Sequence, residues 1–204
     1  MLKILGRKTS SNVQKVLWCC EEMGIAFERD DVGGTFGKNQ TPEYLALNPT
    51  GLVPTVIDDG FVLWESNAIV RYLVAAHGQG TLYPSDAKRR ADADRWMDWQ
   101  QTMLATPMGV LFRGLLKAPP DAIAPEELET AKTKAAAAWG MLDANLRDKT
   151  FVAGADLTMA DIALGNAVHR WFSLPIERPR FQRVQAWYDR LRSRPAYEKH
   201  IASV

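Results

Sequence analysis

Three short clusters set polar or unusual residues where a backbone changes direction. Ser10-Ser11-Asn12 stands immediately before Val13, Val16, Leu17 and Cys20, which recur at helical spacing. Glu65-Ser66 stands where the apolar run FVLW (61–64) gives way to a second helical pattern carrying Ala68, Ile69, Tyr72 and Leu73. Val53-Pro54 precedes the short run TVID (55–58). A helix start leaves backbone N–H groups unpaired at the positive end of the helix dipole, which favours an anion by ~0.3–1 kcal/mol. The same serines are also ordinary helix caps. A serine attacks as a nucleophile only with a base beside it; Ser10 has no adjacent His or Asp, so its hydroxyl is read as a hydrogen-bond donor. Taken alone, Pro54 reads as a trans proline closing a loop before an edge strand.

The chain around these clusters has 204 residues, 47% hydrophobic and 24% charged, enough for one large or two small domains with a real core. A formal net charge of +1 provides no global field to recruit nucleic acid or an anionic membrane. The basic stretch RPRFQRVQAWYDRLRSRP (178–195) interleaves apolar residues at helical spacing and reads as a solvated helix face. No apolar run approaches the ~18 residues of a membrane span, and MLKILGRKTSS lacks the apolar core and cleavage site of a signal peptide. Cys19 and Cys20 are neighbours on one helix and cannot readily bridge, so a reduced, cytoplasmic protein is expected. The three histidines, His77, His169 and His200, are too scattered for a zinc site, and no metal is expected.

To position the clusters, the first 80 residues must alternate strands and helices. LKIL (2–5), a helix from about residue 11 to Gly24, and IAFERDDV (25–32) form a parallel crossover unit. Thr41-Pro42-Glu43 opens a short helix. TVID, Asp59-Gly60 and FVLW make a hairpin, and a helix runs from about Ser66 to His77. The order is βαβαββα with a mixed four-stranded sheet. HGQGTLYPSD (77–86) breaks all periodicity and reads as a linker between domains 1–80 and 81–204. Everything beyond Asp86 is helical: a long segment that Pro107 kinks, a turn and new helix start over 118–132, a Thr158-to-Asp161 capping box, and a last pair over 181–202 that separates near Pro195.

The ordered set TSSNVQKVLW (9–18), NPTGLVPTV (48–56), LWESNAIVRYL (63–73) and TMADI (158–162) closely resembles the cytosolic glutathione S-transferases. Its N-terminal serine places the likeness with the serine-type and bacterial (theta-, delta- or nu-like) classes. The resemblance implies an α/β thioredoxin-like N-terminal domain with an all-α C-terminal domain. It implies glutathione as co-substrate, conjugation of its thiolate to small hydrophobic electrophiles, and a homodimer.

Residue by residue, the resemblance makes the Val53–Pro54 bond cis and turns the Val53 backbone toward the cysteinyl part of glutathione. Ser66 would meet the γ-glutamyl carboxylate and Glu65 its ammonium. The donor to the sulfur is Ser10, Ser11 or Asn12, with Ser10 at the usual position. Relatives often carry His or Lys where this chain has Gly51 and Leu52, so Lys38, Asn39, Gln40 or water would meet the glycine carboxylate instead. Asp98 would reach the γ-glutamyl ammonium bound to a partner subunit. Met103, Met108, Phe112, Arg113, Trp171 and Phe172 are candidates for the electrophile pocket, although Met and aromatic residues at helical spacing also serve as core. Two other functions use the same residues: a glutathione-dependent peroxidase or disulfide reductase, and a non-catalytic binding module.

Overall fold

The computed structural model describes residues 1–77, 82–117, 119 and 122–203. The chain forms two compact units, Met1–Tyr83 with Arg194–Val204, and Pro84–Ser193. Residues 78–81 of the expected linker, and residues 118, 120 and 121 of the expected turn, lie outside the described residues.

The first unit holds β1 (Leu2–Leu5), α1 (Ser11–Met23), β2 (Phe27–Asp30), α2 (Pro42–Leu47), β3 (Thr55–Asp58), β4 (Phe61–Trp64) and α3 (Ser66–His77). The sheet order is β2-β1-β3-β4, with β1 and β2 parallel and the other pairs antiparallel. Asp59 and Gly60, both at positive φ (45° and 89°), close the β3–β4 hairpin, the geometry that a two-residue turn between right-twisted strands requires. Thr41 caps α2 by accepting from Tyr44 N, with Pro42 at the first helical position. Gly24 ends α1 in the left-handed conformation.

α1 is not the one-sided helix that its apolar spacing suggests: every residue from Val13 to Cys20 is buried, Gln14 and Lys15 included. Its second face is covered by the C-terminal segment, α9 (Pro195–Tyr197) continuing into a π-helical turn, Glu198–Ala202. Trp18 meets Tyr197 edge-to-face at 4.9 Å. Arg194 makes a bidentate pair with Glu22 (2.8 and 2.6 Å), and Trp18 Nε1 donates to the same carboxylate (2.9 Å). Counted with the helical half by its sequence, this segment packs in the first unit.

The second unit holds α4 (Ala87–Trp99), α5 (Ala105–Leu116), α6 (Pro125–Asn145), α7 (Met159–Ser173) and α8 (Gln182–Arg192). Asp86 caps α4 through Arg89 N. The expected break near Pro107 falls slightly earlier, as a π-helical turn over Gln100–Leu104. Pro107 has no N–H to donate back to Met103 and its ring crowds that carbonyl, so a widened turn just upstream relieves both. At the head of α7, Asp161 is fully buried and accepts from Thr158 N and Oγ1, Val152 N and Trp187 Nε1. α8 buries Val184, Trp187, Tyr188 and Leu191 and exposes most of its basic face. No helix among the described residues is long and apolar enough to cross a membrane.

Candidate active site

Strand register gathers the three clusters. Leu5 is opposite Thr55, and Thr55 is opposite Trp64. The residues next to that row are Gly6, Pro54 and Glu65, so the β1–α1 loop, the cis-proline loop and the β4–α3 junction meet at one end of the sheet. Gly6 has no room for a side chain because Val13 and Val53 close over it: an added Cβ would lie 2.5 Å from Val13 Cγ2 and 3.4 Å from Val53 Cβ.

Ser10 is the N-cap of α1, with extended backbone (φ −82°, ψ 123°), yet its side chain makes no capping bond. Its backbone is fixed: Ser10 N donates to the Arg7 carbonyl (3.1 Å), and the Ser10 carbonyl accepts from Gln14 N (2.8 Å). Among the described residues, the side chains of Ser10, Ser11 and Asn12 have no hydrogen-bond partner. A hydroxyl held at the N-terminus of a helix and not spent on the cap can donate to an anion there.

The Val53–Pro54 bond is cis. The loop before it is pinned from below, because the Leu52 carbonyl accepts from Tyr44 Oη (2.6 Å) and Asn48 Nδ2 (2.9 Å). The Thr55 hydroxyl joins the same two side chains at 2.8 and 3.0 Å. Among the described residues the Val53 backbone N–H and C=O take no partner, so they form a free edge for an extended peptide.

Glu65 stands at φ 71°, in the left-handed region, where a non-glycine residue costs ~1–2 kcal/mol. Strain of that kind persists where the surroundings require it. Here it turns the chain from β4 into α3, leaving Glu65 exposed and Ser66 buried at the helix start. Lys15 of α1 is only 4% exposed, and its Nζ donates to Ser66 Oγ (3.5 Å) and Asn67 Oδ1 (3.3 Å). An ammonium only donates, so Ser66 Oγ accepts from it and keeps its own proton to give elsewhere.

The neutral pair 51–52 has a structural cause. Gly51 sits at φ 64°, and a Cβ there would lie 2.4 Å from Gln40 Nε2. Its carbonyl accepts from Asn39 Nδ2 (2.7 Å) and Gln40 Nε2 (3.3 Å). A larger residue would break that clasp, whereas Leu52 points outward, 64% exposed. Lys38, exposed at φ 67°, is the cation of this loop. Arg7 leaves no room for a side chain at Gly34, where an added Cβ would lie 2.5 Å from its Nε, and its Nη1 is buried without a hydrogen-bond partner among the described residues.

In the second unit the sequence candidates fall into several surroundings. Asp98 is exposed on α4, and Met103 is 51% exposed on the π-helical turn. Met108 is buried in α5, while Phe112 lies under the Arg170 guanidinium, 3.8 Å from its ring centroid, with Arg113 exposed beside it. Trp171 is fully buried against Trp139, at 6.1 Å between ring centroids. Phe172 stacks on Tyr188 (5.0 Å, 18°) and faces a cleft with Arg178. Lys15, Tyr44, Asn48 and Thr55 escaped the sequence reading. A lysine between Val13 and Val16 was a signal in hindsight; the other three become a network only when α2 meets the proline loop.

Cys19 and Cys20 are both buried free thiols. Burial pushes Cys20 up to about 12 and Cys19 well above its usual value, with nearby Asp58 and Glu21 reinforcing the shift at Cys20. Neither is a ready thiolate. Among the described residues, no group of three or more His, Cys, Asp or Glu side chains could hold a metal ion.

A mixed four-stranded sheet with a cis-proline loop, a helix-start serine and a separate helical unit defines a thioredoxin-like domain joined to an all-helical one. The model described as the glutathione S-transferase N-terminal domain matches residues 9–76, and that of the C-terminal domain matches residues 125–190. The chain is 36% identical to glutathione S-transferase GstB of Escherichia coli (strain K12), over 98% of both chains. Among solved structures it resembles the theta-class glutathione S-transferase of Xanthomonas axonopodis pv. citri with glutathione bound (45% identity, TM-score 0.95, covering 100% of this chain and 98% of that one). A delta-class glutathione transferase of Nilaparvata lugens matches at 28% identity and TM-score 0.88, over 100% and 94%. The chain belongs to the glutathione S-transferase family and is a transferase of that family.

Proposed function

We propose that the protein joins the thiolate of glutathione to the carbon of a small hydrophobic electrophile, acting in the cytoplasm as a homodimer. The observation that carries this reading is the unspent Ser10 hydroxyl at the head of α1. Glutathione lies extended along the cis-proline loop, its cysteinyl amide paired with the free Val53 edge. Ser66 and the α3 N–H groups take the γ-glutamyl carboxylate, and Glu65 takes the ammonium, with Asp98 assigned to the ammonium bound on a partner subunit. Lys38 meets the glycine carboxylate, and Gln40 serves it indirectly by clasping Gly51. Met103 on the π-helical turn, and Met108, Phe112 and Arg113 on α5, are the pocket candidates.

The thiol gives its proton to solvent, the thiolate attacks the electrophilic carbon, and the leaving group departs as an anion. Ser10 holds the thiolate by a charge-assisted hydrogen bond worth ~1.5–3 kcal/mol, which lowers the thiol pKa by roughly one to two units. Ser11 and Asn12 are the alternative donors.

Retention on immobilised glutathione and conjugation of a model aryl halide test the reading together. Ser10→Ala raises the bound thiol's pKa, so turnover falls roughly ten- to a hundredfold near pH 6.5, with a smaller loss near pH 9 where the thiol ionises unaided. A variant with unchanged turnover at both pH values removes Ser10 from the mechanism. Retention without turnover on aryl halides or peroxides identifies a binding module instead; turnover on peroxides alone identifies a peroxidase.

A further inference from the structure

The proposed binding of glutathione leaves one buried charge unassigned. Lys15 lies in the first half of α1 among the buried apolar residues Val13, Val16, Leu17 and Cys19, and is almost wholly buried itself. Its side chain spans from α1 to α3, where Nζ donates to Ser66 Oγ (3.5 Å) and Asn67 Oδ1 (3.3 Å), both buried residues. Packing α1 on α3 does not need this charge. A leucine or methionine would fill the space without drawing an ammonium out of water, which is costly even where hydrogen bonds replace the water. A polar departure from an otherwise apolar helix face is the kind of local rule that proteins break at functional sites.

The place where the ammonium ends is specific. Ser66 and Asn67 are the first two residues of α3, so their backbone N–H groups are among the four that a helix leaves without an internal acceptor. The positive end of the helix dipole lies at the same place. Lys15 adds a full positive charge there from the protein side, where water and salt screen it little. Its bond to Ser66 also fixes a hydroxyl: with a lone pair engaged by the ammonium, the O–H is left to donate elsewhere.

We propose that Lys15 is a positioning residue that makes the protein select peptides carrying the γ-glutamyl carboxylate. It acts through Ser66, whose hydroxyl it orients, and through the positive field it sets behind the first N–H groups of α3. No atom of the peptide needs to touch Lys15 itself. The inference rests on the proposed binding of glutathione along the cis-proline loop. It adds that the carboxylate, more than the ammonium, is the group by which the γ-glutamyl end is chosen. Glu65, the proposed partner of the ammonium, is exposed, and an exposed pair contributes less than one shielded from solvent.

The test is calorimetric titration of the intact protein with S-methylglutathione and two S-methylated analogues; the thioether keeps thiol ionisation out of the measurement. Glutaryl-cysteinylglycine keeps the carboxylate and lacks the ammonium, whereas 4-aminobutyryl-cysteinylglycine keeps the ammonium and lacks the carboxylate. The wild type should bind the two carboxylate-bearing peptides about tenfold or more tighter than the 4-aminobutyryl peptide. Lys15→Met should weaken those two by about tenfold and leave the 4-aminobutyryl peptide nearly unaffected. Lys15→Gln keeps a donor for Ser66 and Asn67 without the charge; it should show the same selective loss, and it carries the test if methionine does not fold there. Equal weakening of all three peptides would mean that Lys15 only packs α1 on α3, and overturns the inference, as do unchanged affinities in Lys15→Gln. A wild type that binds S-methylglutathione without preferring the carboxylate-bearing peptides also overturns it, and leaves the conjugation reading standing. A wild type that binds none of the three removes that reading and the inference with it.

Discussion

At the scale of single residues, the backbone of Glu65 has the sharper message than its side chain. A glutamate at φ 71° carries a cost that glycine would avoid. Comparing Glu65→Gly with Glu65→Ala separates the two roles of the position. Both variants lose the proposed partner of the glutathione ammonium and should raise KM for glutathione several-fold alike. The glycine variant relieves the left-handed strain and the alanine variant keeps it, so thermal melts should place glycine about 1 kcal/mol above alanine. Wild-type KM in both would show that the carboxylate holds nothing. Ser10 belongs to the same scale: its position was readable from the cap signal, whereas the absence of a capping bond from its hydroxyl was not.

At the scale of elements, the cis-proline loop owes its shape to α2. Tyr44 and Asn48 both grip the Leu52 carbonyl and the Thr55 hydroxyl, one residue either side of Val53-Pro54. Tyr44→Phe deletes the hydroxyl while Asn48 keeps both acceptors partnered, so chemical denaturation should register a loss of only about 1 kcal/mol. KM for glutathione should rise as the Val53 edge loosens, with kcat nearly unchanged; a kcat loss at constant KM would contradict this division. The hairpin, the α2 cap and the strand order were legible in sequence because turn chemistry and crossover handedness are local or topological rules. The Tyr44–Asn48 clasp was not, nor was the buried Lys15, because each depends on which elements face one another. The electrophile candidates illustrate the same limit. Trp171 and Phe172 are sequence neighbours, yet one packs on Trp139 in the core and the other faces the Arg178 cleft.

At the scale of the whole molecule, sequence order and spatial order part company. The first unit is completed by residues that follow the entire helical unit. Glu22 is the tie, its side chain 8% exposed between Arg194 and Trp18. Arg194→Met leaves that carboxylate with the indole alone and should cost about 1–2 kcal/mol, less than a fully buried pair because Arg194 is partly open to solvent. The melting temperature should fall by roughly 2–8 °C, and Arg194→Lys should recover part of it; an unaltered melt would mean that the segment is held by Tyr197 and Ile201 packing alone. The arrangement bears also on how the chain is made. The residues of the proposed thiol site leave the ribosome early, but the segment that closes over α1 is translated only after the helical unit. At ~5–20 residues per second the wait is on the order of ten seconds. During that interval the outer face of α1, with Trp18 at its centre, is uncovered hydrophobic surface on a nascent chain, a natural landing place for a ribosome-associated chaperone.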